Sequence, residues 1–241
     1  MIKEKKILTM IPARGGSKGL PGKNVKTLCG KPLIAWSVEQ ALQSRYTDRV
    51  FVSTDSQDIA RIAKTYGADV PFMRPPELAK DASPTSDAVL QGLAEFERMG
   101  EVYDYIVLLE PTSPLRKPGD IDRAIRLISE IEDADSLVSM GEIHMEHPMI
   151  AKRIDDKGFV TPYIEEVRKI HQRQQADKAY FPYGVIYIAK VSAFKETKTF
   201  YNRKTISYLI ERWQNFEIDD ETDFLIVEKI MGMKREAVEN G

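Results

Sequence analysis

The chain has 241 residues, of which 42% are hydrophobic and 30% charged, and its formal net charge is -2. That length supports a substantial core, and the balanced charge excludes a chain built to bind nucleic acid or a membrane surface. One cysteine, Cys29, excludes an intrachain disulfide and fits a reducing cytoplasm, no apolar run reaches membrane-span length, and the start Met-Ile-Lys-Glu-Lys-Lys lacks a signal-peptide core.

The first expected element is a strand, the apolar run Ile7 to Ile11, which breaks at Pro12 into a loop carrying Gly15, Gly16, Gly19 and Gly22. Glycine lets the chain close on a ligand in backbone conformations that other residues avoid. Arg14, Lys18 and Lys23 are spaced through the loop beside Ser17 and Asn24, and seven basic residues with no acidic one lie between Lys5 and Val38. In a slightly acidic chain this is a local positive field. Backbone N–H groups, cations and a following helix start are what a polyphosphate needs. A Walker A loop fails here, because Ser17 stands at its first glycine and Asn24 follows Gly22-Lys23. The dinucleotide fingerprint G-x-G-x-x-G is absent too. A P-loop ATPase and an NAD enzyme are set aside, leaving a phosphate loop of another kind, with a basic surface turn as the plain alternative.

Ile11-Pro-Ala-Arg-Gly-Gly-Ser-Lys-Gly-Leu-Pro-Gly-Lys-Asn24 resembles the signature of the CMP-sialic acid synthetases, the acylneuraminate cytidylyltransferases. The resemblance implies that Ala13, Arg14, Gly15, Ser17, Lys18, Lys23 and Asn24 hold the triphosphate of CTP and position its α-phosphate. It also implies one α/β domain over 1–241, with a three-layer, mostly parallel, Rossmann-like sheet of the nucleotide-diphospho-sugar transferase type.

After the loop, Lys31-Pro32 fits a helix start, and Leu33, Ile34, Val38, Ala41 and Leu42 recur at helical spacing. Arg49 to Thr54 reads as a second, fully buried strand and Ser56 to Tyr66 as a helix, with Asp55 its cap in preference to a catalytic group. Strands alternating with helices predict a parallel sheet, whose ligands bind beyond the carboxyl ends of the strands. Phe72 to Asp87 is a long, polar, Pro-rich connection of the kind that carries function. By the resemblance Arg74 and Thr85 contact the cytosine or its ribose. Ser86 competes with Thr85, and either could instead cap a helix over Asp87 to Met99.

Tyr105 to Leu109 is a further strand, running into Glu110-Pro-Thr-Ser-Pro-Leu-Arg116. This motif resembles the family's strand-end motif and places Glu110, Thr112 and Ser113 at the sugar. The sialic acid enzymes usually carry Gln where Glu110 stands. An ionised Glu only accepts hydrogen bonds, which makes a bacterial relative such as legionaminic acid a plausible acceptor. The alternative is a Pro-rich turn with Glu110 facing solvent. Asp120 to Glu130 reads as a helix and Ser136 to Met140 as a strand.

The next stretch, Gly141 to Lys178, is charged and holds all three histidines. His144 and His147 are close, but no further ligand completes a zinc set. In the resembling family 141–182 is a dimerisation arm that completes the partner's sugar pocket, so a homodimer is expected. Arg173 matches the family's grip on the sugar carboxylate, a task suited to a planar guanidinium; Lys152 carries little weight. Pro182 to Ala189 is a strand on which Tyr187 lines the sugar site by resemblance or, on the residues alone, fills the core. Phe200-Tyr201 matches an aromatic pair on the sugar's acyl group.

Phe216-Glu-Ile-Asp-Asp-Glu-Thr-Asp-Phe224 precedes a last helix ending near Met231. If extended, it projects Glu217 and Asp219 to one side, where two carboxylates suit Mg2+ (or Mn2+). The family has Asp-x-Asp here, and Glu217 departs by one methylene. Asp219, Asp220 and Asp223 also serve a helix start. The reading is a cytoplasmic enzyme moving CMP from CTP to the anomeric hydroxyl of a nine-carbon 2-keto-3-deoxy acid sugar, with Lys23, Arg14, Lys18 and Asp219 as its catalytic groups and no membrane or nucleic-acid partner. A 3-deoxy-manno-octulosonate cytidylyltransferase is the rival in the same class, weakened because Leu109 to Pro114 lacks that family's Gln-Gly-Asp-Glu-Pro run. A non-catalytic nucleotide-binding relative is the rival outside it.

Overall fold

The structure is a computed structural model that describes residues 4–144, 146–164 and 177–239, with side chains as far as Lys234. The first strand, β1 (Ile7–Pro12), is followed by the glycine-rich loop, a single helical turn at Lys23–Val25, and a small hairpin of β2 (Thr27–Leu28) and β3 (Lys31–Pro32). Cys29 and Gly30 both have positive φ at its tip, 46° and 90°, as the primed two-residue turns require. The Lys31-Pro32 pair therefore belongs to the hairpin, and α1 (Leu33–Leu42) starts one residue beyond the proline.

Next come β4 (Arg49–Ser53) and α2 (Gln57–Thr65). The cap of α2 is Ser56, whose hydroxyl accepts the N–H of Ile59; Asp55 does not cap it but accepts the N–H of Gly15 at 2.8 Å. The Pro-rich connection then leads into α3 (Thr85–Arg98). Pro84 occupies its cap position with no side-chain cap bond, so neither Thr85 nor Ser86 caps it. β5 (Tyr105–Leu108), α4 (Asp120–Glu130) and β6 (Ser136–Glu142) lie where the hydrophobic pattern puts them.

Within 141–182 the chain forms an exposed antiparallel hairpin, β7 (Lys152–Ile154) with β8 (Val160–Pro162). β9 (Tyr180–Lys190), α5 (Val191–Thr197), β10 (Thr205–Leu209) and α6 (Glu221–Glu239) complete the fold. The elements α5 and β10 were not expected from the sequence.

The main sheet has the order β10-β6-β9-β5-β1-β4. β9 runs antiparallel to both neighbours, and the other pairings are parallel. Alternate strand residues feed two cores, as a pleated strand buried on both faces must. Ile7, Ile11, Val52 and Val107 pack with α1, α2 and α4. Leu8, Met10, Phe51 and Leu108 pack with α3 and α5. A third cluster joins α6, through Phe224 and Val227, to Leu20, Leu28 and Ile218. The three-layer, mostly parallel α/β architecture is thus established.

The chain leaves β1 for β4 over one face and reaches β5, on β1's other side, by way of α3 on the opposite face. The carboxyl end of β1 is consequently a topological switch point, where open α/β sheets bind ligands. No helix among the described residues is long and apolar enough to cross a membrane.

Candidate active site

Beyond the end of β1 lies a cleft of about 530 Å3. One wall is the glycine-rich loop, which contributes Arg14, Ser17, Lys18, Lys23 and Asn24. The loop is fastened from several sides. Ala13 is buried and donates its N–H to the Ser53 carbonyl at 2.9 Å, Gly15 is held by Asp55, and Asn24 donates from Nδ2 to the Arg14 carbonyl at 3.0 Å. Gly19 lies so close to the Asp219 carbonyl that any side chain there would collide with backbone. Only glycine lets the loop touch the segment before α6.

Lys23 crosses that contact. Its Nζ donates to the Ile218 carbonyl at 2.8 Å and lies 3.2 Å from Asp219 Oδ1. The Lys23 side chain is 16% exposed and that of Asp219 84%, so the ammonium is fixed while the carboxylate is free to meet a ligand. Arg14 and Lys18 share one partner that sequence reasoning missed. Asp81, in the Pro-rich connection, sits 2.7 Å from Arg14 Nη1 and 2.8 Å from Lys18 Nζ. Lys18 first, then Arg14, hold the Asp81 carboxyl below its ordinary range. An acidic residue in a long loop opposite a cationic one was the available signal.

Arg74 lines the cleft at the end of β4 and is nonetheless buried. It donates from Nε to Ser53 Oγ at 2.9 Å and from Nη2 to the Ser53 carbonyl at 2.7 Å, and burial lowers its pKa from the usual 12.5. Thr85, first residue of α3, lines the same end.

The opposite wall is acidic. Glu110 and Thr112 line it after β5. Glu110 does not face open solvent: it is half-buried, its carboxylate is pressed against Gly184, and burial, with Glu217 next, pushes its pKa up to about 7. Behind it Arg116 is fully buried. Its guanidinium donates to the carbonyls of Glu110 at 2.7 Å and Gly184 at 3.1 Å, to Ser37 Oγ at 2.9 Å, and to the Val185 carbonyl. Burial lowers its pKa to about 10, so it remains a cation at neutral pH. The sequence motif contained Arg116 but assigned it no task.

Ser113 is buried and donates to Glu217 Oε1 at 2.7 Å, and Gly184 N–H donates to the same oxygen. Glu217 and Asp219 have different surroundings: the first is half-buried against Ser113 and Gly184, the second exposed beside Lys23. Among the described residues no group of three or more His, Cys, Asp or Glu side chains is arranged to hold a metal. His147 is buried, with Nε2 2.9 Å from the Asp177 carbonyl.

Tyr187 lies near this wall. Burial, then the charge of Glu110, raises its phenol above the usual 10.0, and its ring meets that of Tyr201 edge-on with centroids 6.4 Å apart. Tyr201 is half exposed, whereas Phe200 is buried in the core, 5.5 Å from the Tyr187 ring and 4.7 Å from Phe194. Phe200 is thus a packing residue, and Tyr187, Phe200 and Tyr201 all stand outside the lining of the cleft. Arg173 lies outside the described residues.

The family profile described as cytidylyltransferase matches residues 8–240. The chain belongs to the cytidylyltransferase family. This cytidylyltransferase is 38% identical to the CMP-N,N'-diacetyllegionaminic acid synthase of Legionella pneumophila, over 97% of this chain and 99% of that one. It is 34% identical to the N-acylneuraminate cytidylyltransferase of Escherichia coli, over 91% of this chain but 50% of that one, so it spans about half that relative. It is 30% identical to the pseudaminic acid cytidylyltransferase of Campylobacter jejuni, over 90% and 93%. Among solved structures, a CMP:2-keto-3-deoxy-manno-octonic acid synthetase complexed with CTP matches with a TM-score of 0.71 over 95% of this chain and 99% of that one. At 17% identity that likeness speaks for the fold alone. The chain is accordingly a nucleotidyltransferase, with its loop of cations and its acidic wall on either side of one cleft.

Proposed function

We propose that this cytidylyltransferase transfers CMP from CTP to the anomeric hydroxyl of a nine-carbon 2-keto-3-deoxy acid sugar of the legionaminate or N-acylneuraminate type, releasing pyrophosphate. The observation that carries the reading is the convergence of Lys23, Arg14 and Lys18 on a cleft that also presents Asp219, beside Lys23, and Glu110. The full-length match to the Legionella pneumophila enzyme supports this acceptor class.

In this mechanism the sugar hydroxyl attacks the α-phosphorus, the bond from that phosphorus to the bridging oxygen breaks as pyrophosphate leaves, and the hydroxyl's proton passes to water. The protein forms no covalent bond; it positions the reactants and opposes developing charge. Lys23, held rigid by Ile218, faces the α-phosphate, and Arg14 and Lys18 take the outer phosphates. Asp81 must release those two cations as the triphosphate arrives. Arg74 and Thr85 close the end of the cleft around the nucleoside. No histidine lines the cleft among the described residues.

The site suits Mg2+ (or Mn2+), which binds through one or two carboxylates and completes its shell with substrate phosphates and water. Asp219, an exposed carboxylate beside the phosphate loop, is the residue to hold it. Held there, it would supply charge neutralisation at the phosphates and Lewis acidity toward the acceptor hydroxyl.

On the acceptor side Glu110, Thr112, Tyr187 and Tyr201 read the sugar, and Arg173 grips its carboxylate. The hairpin of β7 and β8 exposes Ile154, Phe159 and Val160, an apolar surface that serves the arm of a homodimer. Light scattering at micromolar concentration should give twice the monomer mass; a clean monomer removes the dimer. The activity test is pyrophosphate release from CTP and Mg2+ with sialic, legionaminic or pseudaminic acid in turn. Release with none of them overturns the proposal.

A further inference from the structure

The segment Phe216 to Asp220 is stitched into the cleft by more than its two acidic side chains. Ile218 donates its N–H to the Thr112 carbonyl at 2.9 Å, and its side chain is fully buried in the α6 core. Its carbonyl receives Lys23 at 2.8 Å. Glu217 adds a second crossing in the other direction. A single oxygen, Oε1, accepts the Ser113 hydroxyl at 2.7 Å and the backbone N–H of Gly184.

Those donors come from two different parts of the acidic wall. Ser113 follows Glu110 and Thr112 after β5, and Gly184 is the residue of β9 against which the Glu110 carboxylate rests. Glu217 consequently ties three stretches together: the end of β5, the start of β9, and the segment that carries Asp219. The two hydrogen bonds on Oε1 occupy that oxygen and fix the plane of the carboxylate, so Oε2 is not free to turn toward the near-ideal geometry that Mg2+ demands of its ligands. Asp219 has no such commitment beyond its ion pair with Lys23.

We infer that Glu217 is a positioning residue that sets the acceptor wall against the nucleotide loop, and that it leaves the metal to Asp219. This rests on the functional reading above and departs from a paired-carboxylate metal site. Glu217 acts through Ser113 and Gly184 on the wall that presents Glu110 and Thr112. Its loss disturbs the acceptor side and spares the triphosphate side.

Two substitutions in the full chain separate the roles, because Gln keeps an acceptor oxygen for Ser113 and Gly184 but brings no charge to a cation. Glu217→Ala should raise the KM for the acid sugar about tenfold or more while the KM for CTP changes less than about threefold, and Glu217→Gln should bring the acceptor KM most of the way back. Mn2+ binding to the enzyme–CTP complex, followed by electron paramagnetic resonance without acceptor, should be unchanged in Glu217→Gln and weakened about tenfold or more in Asp219→Asn. Weakened Mn2+ binding in Glu217→Gln, equal to that in Asp219→Asn, overturns the inference; so does an unchanged acceptor KM in Glu217→Ala. If Glu217→Ala does not fold, Ser113→Ala replaces it, with a raised acceptor KM and normal Mn2+ binding expected and an unchanged acceptor KM counting against. A wild-type enzyme inactive with every acid sugar fails the functional reading alone, since the Mn2+ measurement needs no turnover.

Discussion

The two walls of the cleft are built on opposite principles. The wall proposed to hold the triphosphate is one continuous stretch, residues 12–24, folded back on itself by glycine and pinned by Asp55, Asp81 and Ile218. Its charge is cationic, and much of it stands in water: the Lys18 side chain is 82% exposed. The wall proposed to meet the acceptor presents Glu110 and Thr112 and is backed from distant stretches by Gly184 and Glu217, with Arg116 as the buried tie behind Glu110 and Gly184. Its acidic groups Glu110 and Glu217 are half-buried, while Asp219, beside Lys23, stands in water. A triphosphate carries the same charges whichever nucleoside bears it, so a local loop of donors can recognise it. An acid sugar is recognised by the placement of individual hydroxyls, which needs groups fixed relative to one another by tertiary packing.

The sharpest way to break this division is at Lys23. Lys23→Ala should lower kcat by about a thousandfold, the order expected for removing a fixed charge at the reacting phosphate, with the melting temperature little changed. Near-normal turnover would remove the nucleotide wall from the mechanism. On the other side, Arg116→Met leaves the carbonyls of Glu110, Gly184 and Val185 without their donor. A loss of roughly 3 kcal/mol or more in urea denaturation is expected, with acceptor binding lost before CTP binding.

Glu110 gives a pH test of the same contrast. Its pKa rises from 4.5 to about 7 on folding. Between those values the folded protein holds a proton that the unfolded chain has released, so the contribution of Glu110 is fully present below 4.5, falls as pH rises, and levels off above about 7. The apo wild type should therefore lose up to about 3 kcal/mol relative to Glu110→Gln across that window, seen as converging or crossing denaturation midpoints. Parallel midpoints at every pH would show that the acceptor wall is as wet as the nucleotide wall.

The smallest effect belongs to Asp81. It neutralises Arg14 and Lys18 in the empty cleft and competes with the incoming phosphates. Asp81→Asn should tighten CTP binding about threefold by calorimetry, within the range of a partly exposed ion pair. Weaker binding would instead make Asp81 part of the nucleotide site.

The sequence alone determined the cation-bearing loop of the cleft and most of the sheet. A strand, four glycines and spaced cations occur within one short window, where local geometry and charge suffice to state the chemistry. Periodicity placed the helix Asp120–Glu130 at its observed ends. The segment Thr205–Leu209, which alternates Ile206 and Tyr208 toward the core, was readable by the same rule and was overlooked. Only the tertiary structure decided the acceptor wall. That Glu217 meets Ser113 and Gly184 and leaves Asp219 to stand apart follows from the bond between Ile218 and Thr112, whose partners no sequence spacing relates. The physical reason is range: the cationic loop is built from neighbours along the chain, while a carboxylate's role depends on which donors long-range packing brings to it.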